Sequence, residues 1–390
     1  MSRYVVRKLK IGKTEQLDAL ARTSGELYSL TITSFWRTVR KKGKWLKASS
    51  LMRWHNSEHL HAHSADAVVQ SFFAALKSWR ELRKSDPNAK PPKRRRYYYR
   101  IQWKSSAIRV KNGRLLLSNG KGNEPLVIDW VYAIPKLVEV GWDGNQYELR
   151  AIYKDEQSAQ PIGDCVAGCD LGEIHLATIH DGSNTFIVNG RLLRSKRRYQ
   201  NKLKGKLASL IDTKKRSSRR RKRLIRSKSC QLAKLKNQIK DILHKLTTWT
   251  VCTLYRMGVK TLVIGDVRDI RKRIDYGKKA NQKLHQWVAG QTRQMLSYKA
   301  QRLGMDTPLQ DEAYTSQECP VSLHRQKAKG RNYHCPHCGF KYHRDGVGSI
   351  NIRRKYLNLG SVVGVMAPPS GVRFRPHLQC SPVPRVSVGQ

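Results

Sequence analysis

Residues 192 to 246 carry the feature that most limits what this chain can be. Helical periodicity runs through the stretch with no breaker but Gly205, and it contains KKRSSRRRKRLIRSKS. Apolar residues continue through it at Leu224, Ile225, Leu232, Leu235, Ile239 and Leu243. A solvated tail or localisation signal would not keep such spacing, so the pattern predicts a packed helical hairpin. Its like charges repel one another unless a polyanion lies alongside. The whole chain repeats the imbalance: among 390 residues, 77 are Lys or Arg and 28 are Asp or Glu, for a formal net charge of +49. Nucleic acid is the partner this points to, ahead of a ribosomal-type or membrane-surface basic protein. The opening MSRYVVRKLKIGKTEQ has no long apolar run, so neither a secretory signal nor a membrane span is expected. Eight cysteines are present, but only the pair in HCPHCGF is tightly spaced. That excludes a disulfide framework and fits a reducing cytosol with one metal site.

Along the chain, YVVRKLKI alternates like a strand, and residues from about 13 to 84 read as helix. Hairpins follow, turning at Asn112-Gly113 and Asp143-Gly144. QSAQPIG reads as a linker. Beyond it lie two apolar strands turning near Asp181-Gly182, the basic helices, the strand TLVIGDV, another helix and the strand MDTPLQDEAYTSQ. A cysteine-rich insert and the helix DGVGSINIRRKYL complete the folded part. Residues 359–390, rich in Pro, Gly and Ser, are expected to be a disordered tail.

Three acids stand out. Asp170 reads as mid-strand in VAGCDLGEIHLATI, where a charge is costly unless paired or metal-bound, although an Asp at a strand end, hydrogen-bonded to a loop, would also account for it. Asp345 opens the last helix, a position that also suits an ordinary N-cap, and Asn351 lies about two turns on. In the insert, Cys335 and Cys338 form a C-x2-C-G knuckle, a zinc signal. From Lys93 to Lys104, basic residues interleave with Tyr97, Tyr98, Tyr99 and Trp103. That segment suits phosphates and base stacking, although Tyr98 and Trp103 fit a core strand equally well.

The pieces CDLGEIHLATI, HKLTTWTV, NQKLHQWV with SYKAQRLG, YTSQECP, YHCPHCGF and HRDGVGSINI occur in an order and spacing that resemble the TnpB family over roughly residues 165 to 356. SFFAALKSWRELRK followed by PPKRRRYYY extends the resemblance more loosely into the N-terminal third. These are transposon-encoded RNA-guided nucleases, ancestral to type V CRISPR effectors. The resemblance implies an α/β chain with all-β and helical modules. Residues 161–314 and 342–358 would form a RuvC-like nuclease domain of RNase H fold. Residues 315–341 would form a zinc-ribbon insert that binds the target nucleic acid. Residues 1–12 and 85–160 would form a β-barrel-like wedge domain, carrying a helical recognition insertion over 13–84. It further implies an enzyme: two Mg2+ held by three carboxylates hydrolyse DNA beside a short motif, under a guide RNA from the transposon end. Its partners would be that RNA and double-stranded target DNA, in a prokaryotic cytoplasm with no membrane role.

In that family the first acid matches Asp170 and the third Asp345, whereas the second is a Glu in the strand that here reads VIGDV, with Gly265 at its position. Asp266 should face the opposite side of the strand, and Asp269 lies beyond it. Glu312 is the stronger substitute, on the strand expected beside TLVIGDV, where Gly265 leaves a path for it. A relocated glutamate of this kind marks a subset of TnpB-like proteins, including many Fanzor relatives. A catalytically dead RNA-guided binder is the main rival, and a direct transposase a weaker one. The family's ribbon would carry a second cysteine pair at 319 and 322, but residue 322 is Ser. The implied zinc set is therefore Cys319, His324, Cys335 and Cys338, ahead of His334 or His337.

Overall fold

A computed structural model describes residues 3–94, 98–155, 159–268, 275–328, 330–362, 367–372 and 374. The chain divides into two compact units, Met1–Glu156 and Gln157–Gln390. Among the described residues, no helix is long and apolar enough to cross a membrane.

In the first unit, strand β1 (Arg3–Ile11) precedes helices α1 (Glu15–Lys42), α2 (Ala48–Trp54) and α3 (Ala62–Ser85). Strands β2 (Ile101–Lys104), β3 (Ile108–Lys111), β4 (Arg114–Leu117), β5 (Leu126–Asp129), β6 (Leu137–Trp142) and β7 (Tyr147–Asp155) follow. Helix α1 starts where Thr14 accepts a hydrogen bond from the Leu17 amide at 3.2 Å, a cap worth about 1 kcal/mol. It stops at Gly43, whose left-handed backbone returns its N–H to Val39. Phe35 of α1 and Phe72 of α3 meet edge to face with ring centroids 5.2 Å apart, both fully buried. The Asn112-Gly113 turn between β3 and β4 has positive φ at both residues, the conformation that twists a two-residue hairpin correctly. The strands form a four-stranded antiparallel sheet, β1-β7-β6-β2, and a separate three-stranded sheet, β3-β4-β5. No pairing among the described residues closes them into the expected barrel. Each sheet instead covers its apolar side with the shared core around Trp103, Leu115 and Leu149.

The second unit is mixed α/β. Its elements are β8 (Cys165–Asp170), β9 (His175–His180), β10 (Thr185–Asn189), α4 (Arg191–Asp212), α5 (Arg219–Arg256), β11 (Val259–Gly265), α6 (Gly277–Gln286), α7 (Ala289–Arg302), β12 (Leu309–Gln310), β13 (Asn332–His334), β14 (Lys341–His343), α8 (Arg344–Tyr356) and β15 (Ser370–Val372). The main sheet runs β12-β11-β8-β9-β10-β15. Strands β8, β9 and β10 are antiparallel neighbours, while β11 lies parallel to β8 and β12 parallel to β11. Buried Ile242, Leu243 and Leu246 of α5 and Leu296 of α7 pack in the sheet's main core. Helix α8 approaches β8 so closely that a Cβ at Gly168 would stand 2.2 Å from the Ser349 carbonyl oxygen.

The basic stretch forms the α4–α5 hairpin, and its break falls at residues 213–218 rather than at Gly205, which stays inside α4. Ser218 caps α5 by accepting from the Arg221 amide, and the Arg221 guanidinium closes the turn on the carbonyls of Ile211 and Lys214. The compositional tail also needs correction. Ser370–Val372 pairs parallel to β10 and extends the sheet, because the outer edge of β10 offers unpaired backbone groups to any strand that reaches it. Residues 363–366, 373 and 375–390 lie outside the described residues.

Candidate active site

Strands β8, β11 and β12 run in the same direction, and their carboxyl ends open on one edge of the sheet, where a parallel sheet most readily builds a site. Asp170 is the last residue of β8 rather than a mid-strand residue, because the chain turns through Leu171–Ile174 before β9 begins at His175. It shares a face with Gly168, the face covered by α8, and a Cβ on Gly348 of that helix would stand 2.7 Å from Asp170 Oδ2. Gly265 is the last residue of β11, one step beyond the Ile264–Cys169 pair. Glu312 follows β12 by two residues, since the predicted strand MDTPLQDEAYTSQ keeps ladder pairing only over Leu309–Gln310. Gly265 pairs with Gln310, so the Glu312 segment leaves the sheet beside the missing side chain.

Glu312 fills the vacated space. Its Oε2 lies 2.7 Å from the point where a Cβ on residue 265 would stand, and its Cβ lies 3.5 Å from that point. This oxygen is buried and, among the described residues, accepts no hydrogen bond. Burial, reinforced by the charges of Asp266 and Asp311, raises the Glu312 carboxyl to about 7. Asp170 is pushed well above the usual carboxylate range by burial and then by the charges of Glu312 and Asp345, with Arg344 opposing. Asp345 behaves differently. Burial raises it, but the hydrogen bond to His175 and the charges of His343, His175 and Arg331 outweigh burial and hold it below the usual range. His175 Nδ1 lies 2.7 Å from Asp345 Oδ2, and Arg331 Nη1 lies 3.5 Å from the same oxygen.

Asp170 therefore feels the charges of both Glu312 and Asp345, while His175 and His343 gather around Asp345. A buried carboxylate oxygen without a hydrogen-bond partner, near a second acid whose charge it opposes, is an arrangement that a cation would stabilise. An all-oxygen donor set of this kind fits Mg2+. Asp266, whose charge also reaches Glu312, ends in ion pairs with Arg268 and Arg293. Asp269 lies outside the described residues.

The sulfur atoms of Cys319, Cys335 and Cys338 come within 4.8 Å of one another. His324 does not join them. Left-handed Leu323 turns the chain so that the His324 carbonyl accepts from the Cys319 amide, and the His324 ring packs on His337 instead. Ser322 takes the corner, its hydroxyl 3.3 Å from Cys335 Sγ and its amide 3.5 Å from Cys319 Sγ. Three thiols so placed could hold a zinc ion.

Two other sequence expectations are settled by packing. Trp103 is a core residue, with no exposed surface and its indole N–H donating to Ser118, whereas Tyr98 remains exposed. Tyr97 lies outside the described residues. Asn351 donates to the carbonyls of Thr315 and Glu318. Sequence reasoning missed His175 and Arg331. His175 follows Asp170 by five residues on the neighbouring strand, a spacing that places it beside the site only once the α8 position is known.

Comparison with known proteins follows the same two regions. Residues 150–271 match the family described as "Probable transposase", and residues 290–352 match "Cas12f1-like, TNB domain". A TnpB-like protein of Acidianus two-tailed virus is 28% identical over 270 residues, covering 66% of this chain and 57% of that protein. The chain therefore spans little more than half the length of this viral relative. A Streptomyces pristinaespiralis protein whose name proposes RNA-guided DNA endonuclease activity is 26% identical across 96% of this chain and 93% of its own. Among solved structures, a Cas12f1–sgRNA–target DNA complex superposes with a TM-score of 0.55 at 12% identity, covering 87% of this chain and 81% of that one. At such identity the likeness concerns the fold.

Proposed function

Because the chain belongs to the TnpB family, a group of transposon-associated nucleases, we propose that it is an RNA-guided, Mg2+-dependent DNA endonuclease. The observation that carries this reading is the buried, unpartnered Glu312 oxygen beside Gly265. A chain that had simply lost its second acid would have no cause to bury a replacement there, since an unpaired buried carboxylate costs several kcal/mol unless something offsets it.

In this reading Asp170, Glu312 and Asp345 hold two Mg2+. When bound, the ions supply positive charge to the scissile phosphate and an ionised water as nucleophile. Asp345, already ionised and oriented by His175, offers its other oxygen to the site. Asp170 and Glu312 give up protons as the cations enter. Arg331 stands at the rim, where it can meet a phosphate oxygen. Residues 161–314 and 342–358 act as the nuclease domain, a reading supported by a sheet of three antiparallel strands followed by two parallel ones, the RNase H-like order. Residues 315–341 brace it around a zinc. Helix α5, about 57 Å long at 1.5 Å per residue, offers its basic face to a guide–target duplex. Residues 1–12 and 85–160, with the helical block 13–84, hold the RNA and read the motif beside the target.

The test is plasmid cleavage by the protein with its native RNA and Mg2+, comparing wild type with Glu312→Ala and Asp269→Ala. Cutting by wild type and Asp269→Ala but not Glu312→Ala is expected. Robust cutting by Glu312→Ala rejects the assignment, and target binding without cutting by wild type identifies a catalytically dead binder.

A further inference from the structure

A carboxylate built into a strand is aimed by the ladder that holds the strand. Glu312 has no such support, because it sits two residues past β12 in a run of turns that includes left-handed Tyr314. Something else must hold that loop. The structure supplies it from α8, the helix that also carries Asp345.

Asn351 has no exposed surface. Its Nδ2 donates to the Thr315 carbonyl at 2.8 Å and to the Glu318 carbonyl at 2.7 Å. Its Oδ1 accepts from Arg354 Nε at 3.0 Å. Carbonyls on one side and a guanidinium N–H on the other leave no doubt which end of the amide is which. Buried Arg354 pairs in turn with the Glu318 carboxylate, and Lys355 Nζ donates to the Ala313 carbonyl at 2.7 Å. Within the loop, both the amide and the hydroxyl of Thr315 donate to the Glu312 carbonyl, at 3.1 and 2.9 Å. A short chain of bonds therefore runs from Asn351 through Thr315 to the backbone of Glu312. No other side chain of this size offers two N–H groups and an acceptor: Asp has no donor, Leu has neither, and Gln is one methylene longer.

We propose that Asn351 is the positioning residue that aims Glu312, so that α8 sets two of the three acids at once. The proposal rests on the nuclease reading above, since it presumes that Glu312 serves the site. Asn351 touches no reacting atom; it acts through the loop.

The experiment places Asn351→Leu in two backgrounds, wild type and the double variant Gly265→Glu, Glu312→Ala, which returns the carboxylate to β11. In wild type the substitution should lower cutting by about 10- to 100-fold, the range for groups that orient metal ligands, and raise the Mn2+ concentration needed for half-maximal cutting. In the double variant it should cost less than about threefold, because the ladder aims that carboxylate. Equal losses in both backgrounds, or none in wild type, overturn the proposal. Amide hydrogen exchange on the RNA-bound proteins gives a readout independent of cutting, and decides the matter if the double variant does not cut. Faster exchange confined to residues 312–318 is expected, and unchanged exchange there overturns the proposal. Asn351→Ser, which keeps a hydroxyl donor but cannot reach both carbonyls, replaces Asn351→Leu if that variant does not fold. Absence of both cutting and Mn2+ binding in wild type rejects the nuclease reading itself. Full activity in Asn351→Leu beside an active wild type rejects only the positioning role.

Discussion

Glu312 Oε2 lies 2.7 Å from the point where a side chain on Gly265 would begin. The residue absent from one strand and the residue present beyond the next occupy the same space. Glu312→Ala and Glu312→Gln should therefore each reduce cutting by at least about 100-fold, as for loss of a transition-state group. Asp266→Ala should stay within a few-fold of wild type, because Asp266 is tied to Arg268 and Arg293. Single-turnover cleavage rates check both.

The raised Glu312 carboxyl makes the metal-free protein sensitive to pH. A carboxyl at about 7 when folded, against 4.5 as its ordinary value, binds more protons in the folded state. Its stabilising contribution is complete below pH 4.5 and is lost as pH rises through 7. In EDTA, the melting temperature of wild type relative to Glu312→Gln should therefore fall between pH 5 and pH 8. Mg2+ should raise wild type more at pH 8 than at pH 5, since the cation competes with protons. A flat difference between the two proteins across that range contradicts the burial argument.

Two glycines should respond oppositely to alanine. At Gly168 the new methyl would meet the Ser349 carbonyl oxygen at 2.2 Å and the Arg353 amide nitrogen at 2.7 Å, backbone atoms that cannot swing aside. A loss of about 1–3 kcal/mol is expected. At Gly205, exposed within α4, nothing lies within 4 Å. There alanine should add about 0.5–1 kcal/mol by favouring the helix. Denaturant melts of the free protein measure both.

The three-cysteine cluster predicts one zinc per chain by elemental analysis. Cys335→Ser should release it and His324→Ala should retain it. Ser322→Cys, which places a thiol at the corner 3.3 Å from Cys335 Sγ, should slow its removal by chelator.

Much of this was legible before any coordinates. Asp170 reads from the cost of a charge in an apolar strand, Asp345 from a helix start, and the hairpins from Asn112-Gly113 and Asp143-Gly144. That Glu312 could reach across to Gly265 reads from the spacing of adjacent strands and the missing side chain, and Glu312 does stand in that space. The sequence could not show which end of the insert's turn faces the thiols, because that depends on one left-handed residue, Leu323. It could not show the strand at Ser370–Val372, which forms only because β10 leaves an edge open. Nor could it show the grip of Asn351 on Thr315 and Glu318, a contact across more than thirty residues that local periodicity does not encode.

The most direct measurement is the anomalous signal of Mn2+ in crystals of the protein bound to guide RNA and uncleaved target DNA. The account predicts a peak about 2.1 Å from a Glu312 carboxylate oxygen, shared with Asp170. Peaks held by Asp170 and Asp345 alone, with Glu312 turned away from both, would contradict it.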